Sequence, residues 1–268
     1  NFLVLKGYES DCIIKNNIIT QDGLNSFYTK EKSVWSTTLI SVNSSYKKVE
    51  FCNNSIFEEE EFRRAGVEEW KDENKMTYFD CYSGEIRNCL FKGISQEYSA
   101  AIQAHKYFEC RFEKCINAIW TTDSYYSSKD APCIDNCIFI ECTNVIKAED
   151  NTQITNCQFI SCYDDIISPI AFNGGVSVEF CQFINSRNTK KRNSLWGLSC
   201  VTFRRVKGAK ARANYLKKCI FDGVELGDNF LIGAEGFEKP SGVVTYIENC
   251  DFKNCTTKRA SGKIIKEY

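Results

Sequence analysis

The sequence predicts an all-β solenoid, a parallel β-helix of about ten short-stranded coils, on three observations. The first is repetition. Residues 134–146 read I-D-N-C-I-F-I-E-C-T-N-V-I and residues 154–166 read I-T-N-C-Q-F-I-S-C-Y-D-D-I, so a frame of Ile, Asn, Cys and Phe returns after 20 residues. A fixed period of this kind marks stacked repeats. The second is phase. Cys137 and Phe139 alternate as a strand requires, yet Ile134 lies three before Cys137 and Cys142 three after Phe139. A strand that changes parity at a constant point turns a corner there. Asn136 and Asn156 occupy that point, and Asn tolerates the left-handed backbone of a sharp bend. The third is spread along the chain. Phe91, Phe112, Phe139, Phe159, Phe183, Phe203, Phe221 and Phe252 each follow an anchor by two, the anchors being Cys89, Cys110, Cys137, Cys157, Cys181, Val201, Cys219 and Cys250. Short strands joined by corners, with a turn of about 20 residues, describe one coil of a parallel β-helix.

Taken in order, two weaker copies come first: I-K-N-N-I-I at 14–19, anchored on Asn17, and V-E-F-C-N-N-S-I-F at 49–57, anchored on Cys52. The ten anchors are spaced by 35, 37, 21, 27, 20, 24, 20, 18 and 31 residues. Short spacings predict a bare coil and long ones a coil with an insertion. Stacked at about 4.8 Å, ten coils make a rod roughly 45 Å long. Residues 1–48 are expected to form an irregular N-terminal cap over otherwise open strand edges, with turn-like Asp22-Gly23 in an insertion from residue 20. A second insertion, about 58–77, places Phe62, Ala65 and Trp70 near helical spacing, as in a short amphipathic helix or a solvated cap. The 27-residue coil carries T-T-D-S-Y-Y-S-S-K-D, where Tyr125 and Tyr126 either fill a turn or stack on a sugar ring. Because coils add to one continuous core, residues 1–268 read as a single domain. Three Pro suit a strand-rich core. No run of 18 apolar residues offers a membrane span. The start, Asn1-Phe2-Leu3-Val4, has neither Met nor leader, which is expected of a processed form or an excerpt.

The I-x-N-C-x-F-x-x-C coils resemble those of right-handed parallel β-helix repeat proteins. They are of the Cys-rich kind found in protist surface-protein families, distantly similar to bacterial polymorphic outer-membrane adhesins. The resemblance covers about residues 14–265. It implies a right-handed, single-stranded β-helix, and on the function side an adhesin-like or scaffolding role. The same fold also carries pectin-cleaving enzymes and phage tailspikes. The chain departs from the adhesin pattern in using F-x-x-C (Phe112 to Cys115, Phe139 to Cys142, Phe159 to Cys162, Phe252 to Cys255) in place of F-x-x-N.

Sixteen Cys raise the questions of metal and disulfides. The tightest cluster, Cys133, Cys137 and Cys142, recurs because the coil recurs, so a zinc site is not expected. Cys in adjacent coils fall in register, and a free thiol is a small buried hydrophobe. Stacked, mostly reduced thiols are therefore favoured over a disulfide framework. Reduced ladders suit a cytoplasmic protein and disulfides a secreted or cell-surface one, which leaves the compartment open.

Charge carries the functional expectation. Between residues 187 and 218 lie eleven basic residues and no acid: Arg187, Lys190, Lys191, Arg192, Arg204, Arg205, Lys207, Lys210, Arg212, Lys217 and Lys218. The whole chain is near neutral at −1. Neighbouring coils should gather these charges into one patch, with Trp196 and Tyr215 among them. Such a patch attracts an anionic partner: a glycan, an acidic protein surface, a nucleic acid or anionic lipid. Self-association is a further expected partner class. Catalytic candidates are few. Asp164-Asp165 and Glu149-Asp150 are the acid pairs, but Asp164 occupies the repeat position of Asn117 and Asn144, and His105 has no nucleophile at a recognisable spacing. No phosphate loop or dinucleotide fingerprint appears. The sequence therefore predicts a non-enzymatic binding or structural module with no cofactor and no metal. A polysaccharide lyase or hydrolase on the same fold, and an intracellular scaffold or filament component, are the alternatives.

Overall fold

The computed structural model describes residues 3–5, 11–21, 37–42, 48–58, 76–94, 102–121, 130–169, 175–188, 199–204, 212–235, 245–259 and 261. Among these residues every regular element is a strand, and every strand pairing is parallel. The strands form three faces, visited in the order third, first, second at each level.

The third face is built from β1 (Leu3–Leu5), β4 (Thr37–Val42), β11 (Ile119–Thr121), β14 (Ile146–Ala148), β17 (Ile167–Pro169), β20 (Ser199–Arg204) and β23 (Phe230–Glu235). The first face holds β2 (Asp11–Lys15), β5 (Lys48–Cys52), β12 (Cys133–Asp135), β15 (Gln153–Thr155), β18 (Ser177–Glu179), β21 (Asn214–Lys217) and β24 (Thr245–Glu248). Two long strands, β7 (Met76–Arg87) and β9 (Ile102–Phe108), run across both faces without a break. In β9, residues 102–104 pair with β11 and residues 106–108 with β12. The second face is a nine-stranded sheet of β3 (Ile18–Gln21), β6 (Ser55–Glu58), β8 (Leu90–Lys92), β10 (Arg111–Glu113), β13 (Ile138–Ile140), β16 (Gln158–Ile160), β19 (Gln182–Ile184), β22 (Ile220–Asp222) and β25 (Asp251–Lys253). The chain is a parallel β-helix.

The core is a set of columns running along the rod. On the second face Phe91, Phe112, Phe139, Phe159, Phe183 and Phe221 are fully buried, and their rings stack at centroid distances of 5.0, 4.8, 5.0, 4.7 and 4.5 Å. Burying one such side chain is worth about 1.5–3 kcal/mol. On the first face Ile86, Tyr107, Ile134, Ile154, Val178 and Leu216 form the inward column. The Tyr107 hydroxyl stays paired in the interior, its one proton shared between the carbonyls of Ile102 and Trp120, both at 3.1 Å.

Corners repeat as strictly as strands. At the first-to-second corner Asn16, Asn53, Asn88, Asn136, Asn156 and Asn249 have positive φ, between 48° and 60°. The corner N–H groups of Asn16, Asn53, Asn88, Asn136 and Asn156 each donate to a carbonyl one level on, as Asn136 N does to Thr155 O at 3.0 Å. Asn144 and Asp164 take the left-handed conformation at the second-to-third corner, at φ 49° and 60°, as does Asn117 at 51°. Asp164 thus stands in a backbone ladder, the position its repeat phase assigned to it.

The anchors differ from the sequence expectation in two places. Val201 pairs with Ile167 and Ile232 on the third face, so Val201 and Phe203 open the coil that continues to Cys219 rather than forming one of their own. The V-T-F triplet mimics C-x-F because both are strands with alternate residues inside. Cys52 ends β5 in register with Arg87, Asn53 takes the corner, and Asn54 takes the anchor position level with Cys89, with Ile56 buried two residues on. The described strands therefore build nine levels, a rod of about 40 Å. Residues 59–75, where the amphipathic helix was expected, lie outside the described residues, as do Asp22, Gly23, Tyr125 and Tyr126.

Candidate binding surface

The described members of the basic run fall at three places on the rod. Arg187 lies at the second-to-third corner, bridged in register between Tyr163 and Glu225, and its Nε is 3.3 Å from Glu225 Oε2. Arg204 ends β20 opposite Glu235 of β23. Arg212 precedes β21 and donates through Nη1 to Asn151 Oδ1. On the first face Lys217 lies 4.4 Å over the Tyr215 ring and 3.5 Å from Glu248 Oε2, with Glu179 in register on its other side. Lys218 follows at the corner, 4.9 Å over the Phe180 ring.

Arg187 and Lys217 each meet an acid that a linear count along the run does not show. The run has no acid along the chain, but a β-helix residue's neighbours in space are one coil away in sequence. Glu225, Glu235 and Glu248 come from the following coil and stand in register with Arg187, Arg204 and Lys217. The ion pairs Arg187–Glu225 and Lys217–Glu248 are half-exposed and contribute little stability, yet they cancel local charge. Lys190, Lys191, Arg192, Arg205, Lys207 and Lys210 lie outside the described residues, as does Trp196. Their segments, 189–198 and 205–211, join the rod at the two ends of one strand, β20.

A second feature was not read from the sequence. Phe180 and Lys218 occupy the corner position that Asn holds on most levels, at φ 56° and 52°. A bulky residue there costs roughly 1–2 kcal/mol, because its Cβ crowds the following carbonyl. Strain of this kind gathers at functional sites. Phe180 is 48% exposed, and one column away Tyr215 stacks on Tyr246 at 5.3 Å. The signal was present in the pattern: x-N-C becomes F-C at 180–181 and K-C at 218–219.

The thiols form two ladders. Cys89, Cys110, Cys137, Cys157, Cys181, Cys219 and Cys250 line the first corner; Cys115, Cys142, Cys162 and Cys255 line the second, with Ser186 between Cys162 and Cys255. Most donate to a carbonyl of the preceding level, as Cys110 does to Ile86 O at 3.6 Å and Cys142 to Phe112 O at 3.5 Å. The fifteen cysteines whose side chains are described, all but Cys81, are free thiols. In-register neighbours repeat at about 4.8 Å, whereas a disulfide needs Cβ atoms about 3.5–4.5 Å apart. Oxidation would have to pull two levels together. Burial pushes the thiols of Cys137, Cys162 and Cys181 well up, which makes them poor nucleophiles. Cys133 faces outward on the first face while Cys137 and Cys142 stand on separate ladders, so the three do not converge on one ion. Among the described residues no group of three or more His, Cys, Asp or Glu is placed to hold a metal, and no helix is long and apolar enough to cross a membrane. His105 is buried, its Nε2 3.2 Å from Asp130 O.

What the registers and surface define is a repeat protein: nine levels of parallel β-helix with ion-paired sides and one coil carrying two basic insertions. No family model matches the chain, and no curated protein matches it. Among solved structures it is similar to the pectin methylesterase from Aspergillus niger, at 11% identity and TM-score 0.33, covering 97% of this chain and 93% of that one. It is also similar to PfbA, a surface adhesin of Streptococcus pneumoniae, at 11% identity and TM-score 0.27, covering 96% and 84% of the two chains.

Proposed function

We propose that this β-helix is a non-enzymatic binding module, adhesin-like or scaffolding, that engages an anionic partner through the two basic segments flanking β20. The observation that supports this is topological. Segments 189–198 and 205–211 flank one six-residue strand, β20, along the chain, and together they hold six basic residues and no acid. The acids that pair with the described cations, Glu225 and Glu248, sit on the rod itself beside Arg187 and Lys217. Six cations with no acid, in two segments joined to one strand, favour a polyanion as the partner.

Retention on heparin, single-stranded nucleic acid and anionic liposomes, compared side by side, tests the reading. Affinity is expected to fall as salt rises, with a nucleic-acid partner adding a counterion-release slope. Replacing Lys190, Lys191 and Arg192 by Glu is expected to abolish retention while leaving the unfolding midpoint unchanged, because loop charges contribute little to stability. If none of the three ligands is retained at about 0.1 M salt, the reading fails.

A further inference from the structure

Among the described residues the rod ends in open strand edges. β1 pairs only with β4 and β2 only with β5, while β24 pairs only with β21 and β25 only with β22. We propose that copies of this chain stack head to tail, with the β24–β25 edge of one copy continuing into the β1–β3 edge of the next.

The topology permits this without a change of order. The described strands begin on the third face with β1 and end on the second face with β25, so a following copy resumes at the correct face. The registers then match column by column. Leu3 follows Ile232 on the third face, Ile14 follows Ile247 on the first, and Ile19 follows Phe252 on the second, each an apolar residue at an apolar register position.

The exposed residues complement one another. Ile247 and Tyr246 are 36% and 43% exposed at one end, and Ile13 and Ile18 are 52% and 77% exposed at the other. Continued register sets Tyr246 beside Ile13, so the junction covers apolar surface at both edges. It also sets Glu248 beside Lys15, opposite charges in the column where Lys217 already pairs with Glu248. One column is not complementary: Asp251 meets Ile18.

Corner hydrogen bonds extend the match. Within the rod the corner N–H donates one level on, as Asn16 N does to Cys52 O, Asn53 N to Arg87 O and Lys218 N to Glu248 O, at 3.2, 3.0 and 2.9 Å. The same step carries Asn249 N to Lys15 O of the next copy. The Asn side chains also chain together, Asn53 Nδ2 donating to Asn16 Oδ1 at 3.2 Å and Asn88 Nδ2 to Asn53 Oδ1 at 2.9 Å. Asn16 of the next copy repeats this on Asn249. A contact between unlike ends does not close, so it propagates into a linear stack. The junction residues Lys15 and Glu248 are not among the six basic residues of segments 189–198 and 205–211, so loss of polyanion binding and loss of stacking are separate outcomes.

Sedimentation of the full chain across a concentration series tests the proposal, using Lys15→Glu and Glu248→Lys. The wild type is expected to grow in whole multiples of 30.7 kDa. Each variant alone places like charges at every junction and is expected to weaken stacking about tenfold or more. An equimolar mixture of the two variants restores opposite charges at every junction of an alternating stack and is expected to stack as the wild type does. Unchanged circular dichroism in both variants confirms that the rod is intact. A wild type that stays monomeric overturns the proposal, as does a closed dimer indifferent to both substitutions. So does stacking that appears only after residues 262–268 are removed, since that segment would then be the natural occupant of the edge.

Discussion

The middle of the rod and its last described level use the same sequence pattern in different surroundings. At 154–162 the residues I-T-N-C-Q-F-I-S-C place Ile154, Cys157, Phe159 and Cys162 in full burial. At 247–255 the residues I-E-N-C-D-F-K-N-C place Ile247, Cys250, Phe252 and Cys255 at half-burial or beyond. Each level contacts only its neighbours, so what a residue contributes depends on whether a level lies on both sides of it.

Paired substitutions give the sharpest test. Phe159→Ala is expected to cost roughly 3–5 kcal/mol as a buried large-to-small change, and Phe252→Ala about half as much or less. Equal costs by denaturant unfolding would mean that the last level is covered in solution, and at high protein concentration that is the signature of stacking.

Alkali is expected to act through the buried levels next. Contact with the Cys181 thiol foremost, with burial adding, pushes Cys219 up to about 12 from an ordinary value of 9.0. A raised thiol stays protonated in the folded chain while the unfolded chain ionises. Stability is therefore fully present below about pH 9 and falls toward pH 12, by about 1.4 kcal/mol per pH unit for each such thiol. Stability measured from pH 7 to 11 should be flat and then decline. A rise with pH would contradict burial of the ladder.

A smaller contrast separates Cys162→Ser from Cys255→Ser. Ser186 already stands on this ladder, its hydroxyl donating to Phe159 O at 3.3 Å, so a hydroxyl is tolerated there. The buried exchange is expected to cost about 1–2 kcal/mol, and the half-exposed one about 0.5 kcal/mol or less, by the same unfolding assay. The smallest effect should have the opposite sign. Phe180→Asn relieves a left-handed bulky residue at the loss of one cation–π contact and is expected to raise stability by about 0.5 kcal/mol. A clear loss of stability would mean that the Phe180 ring supports the first face.

Much of this was legible in the sequence because the interior is one-dimensional. Phe139, Phe159 and Phe183 are spaced by one turn, and each meets the next directly, so period alone gives the ladder. The same logic placed Asp164 on the Asn117–Asn144 corner. It failed where an insertion hides the period, as at Val201–Phe203, whose coil carries 189–198 and 205–211. It also failed at Cys52, two residues before the true anchor at Asn54. The charge reading was limited for a different reason. Arg187 and Lys217 look unopposed along the chain, but Glu225 and Glu248 reach them from the following coil, and pairing across levels is invisible to a linear count.

The strict 20-residue match between residues 134–146 and 154–166 has a consequence for how such a molecule grows. Duplicating residues 137–156 in frame adds one level whose every neighbour contact is of a kind already made: Phe on Phe, thiol to carbonyl, Asn at the bend. The lengthened chain is expected to fold, to gain about 4.8 Å in length and to melt no lower than its parent, which scattering and thermal unfolding would report. The gene for such a rod can be extended by copying, and natural selection can set its length without redesigning its interior.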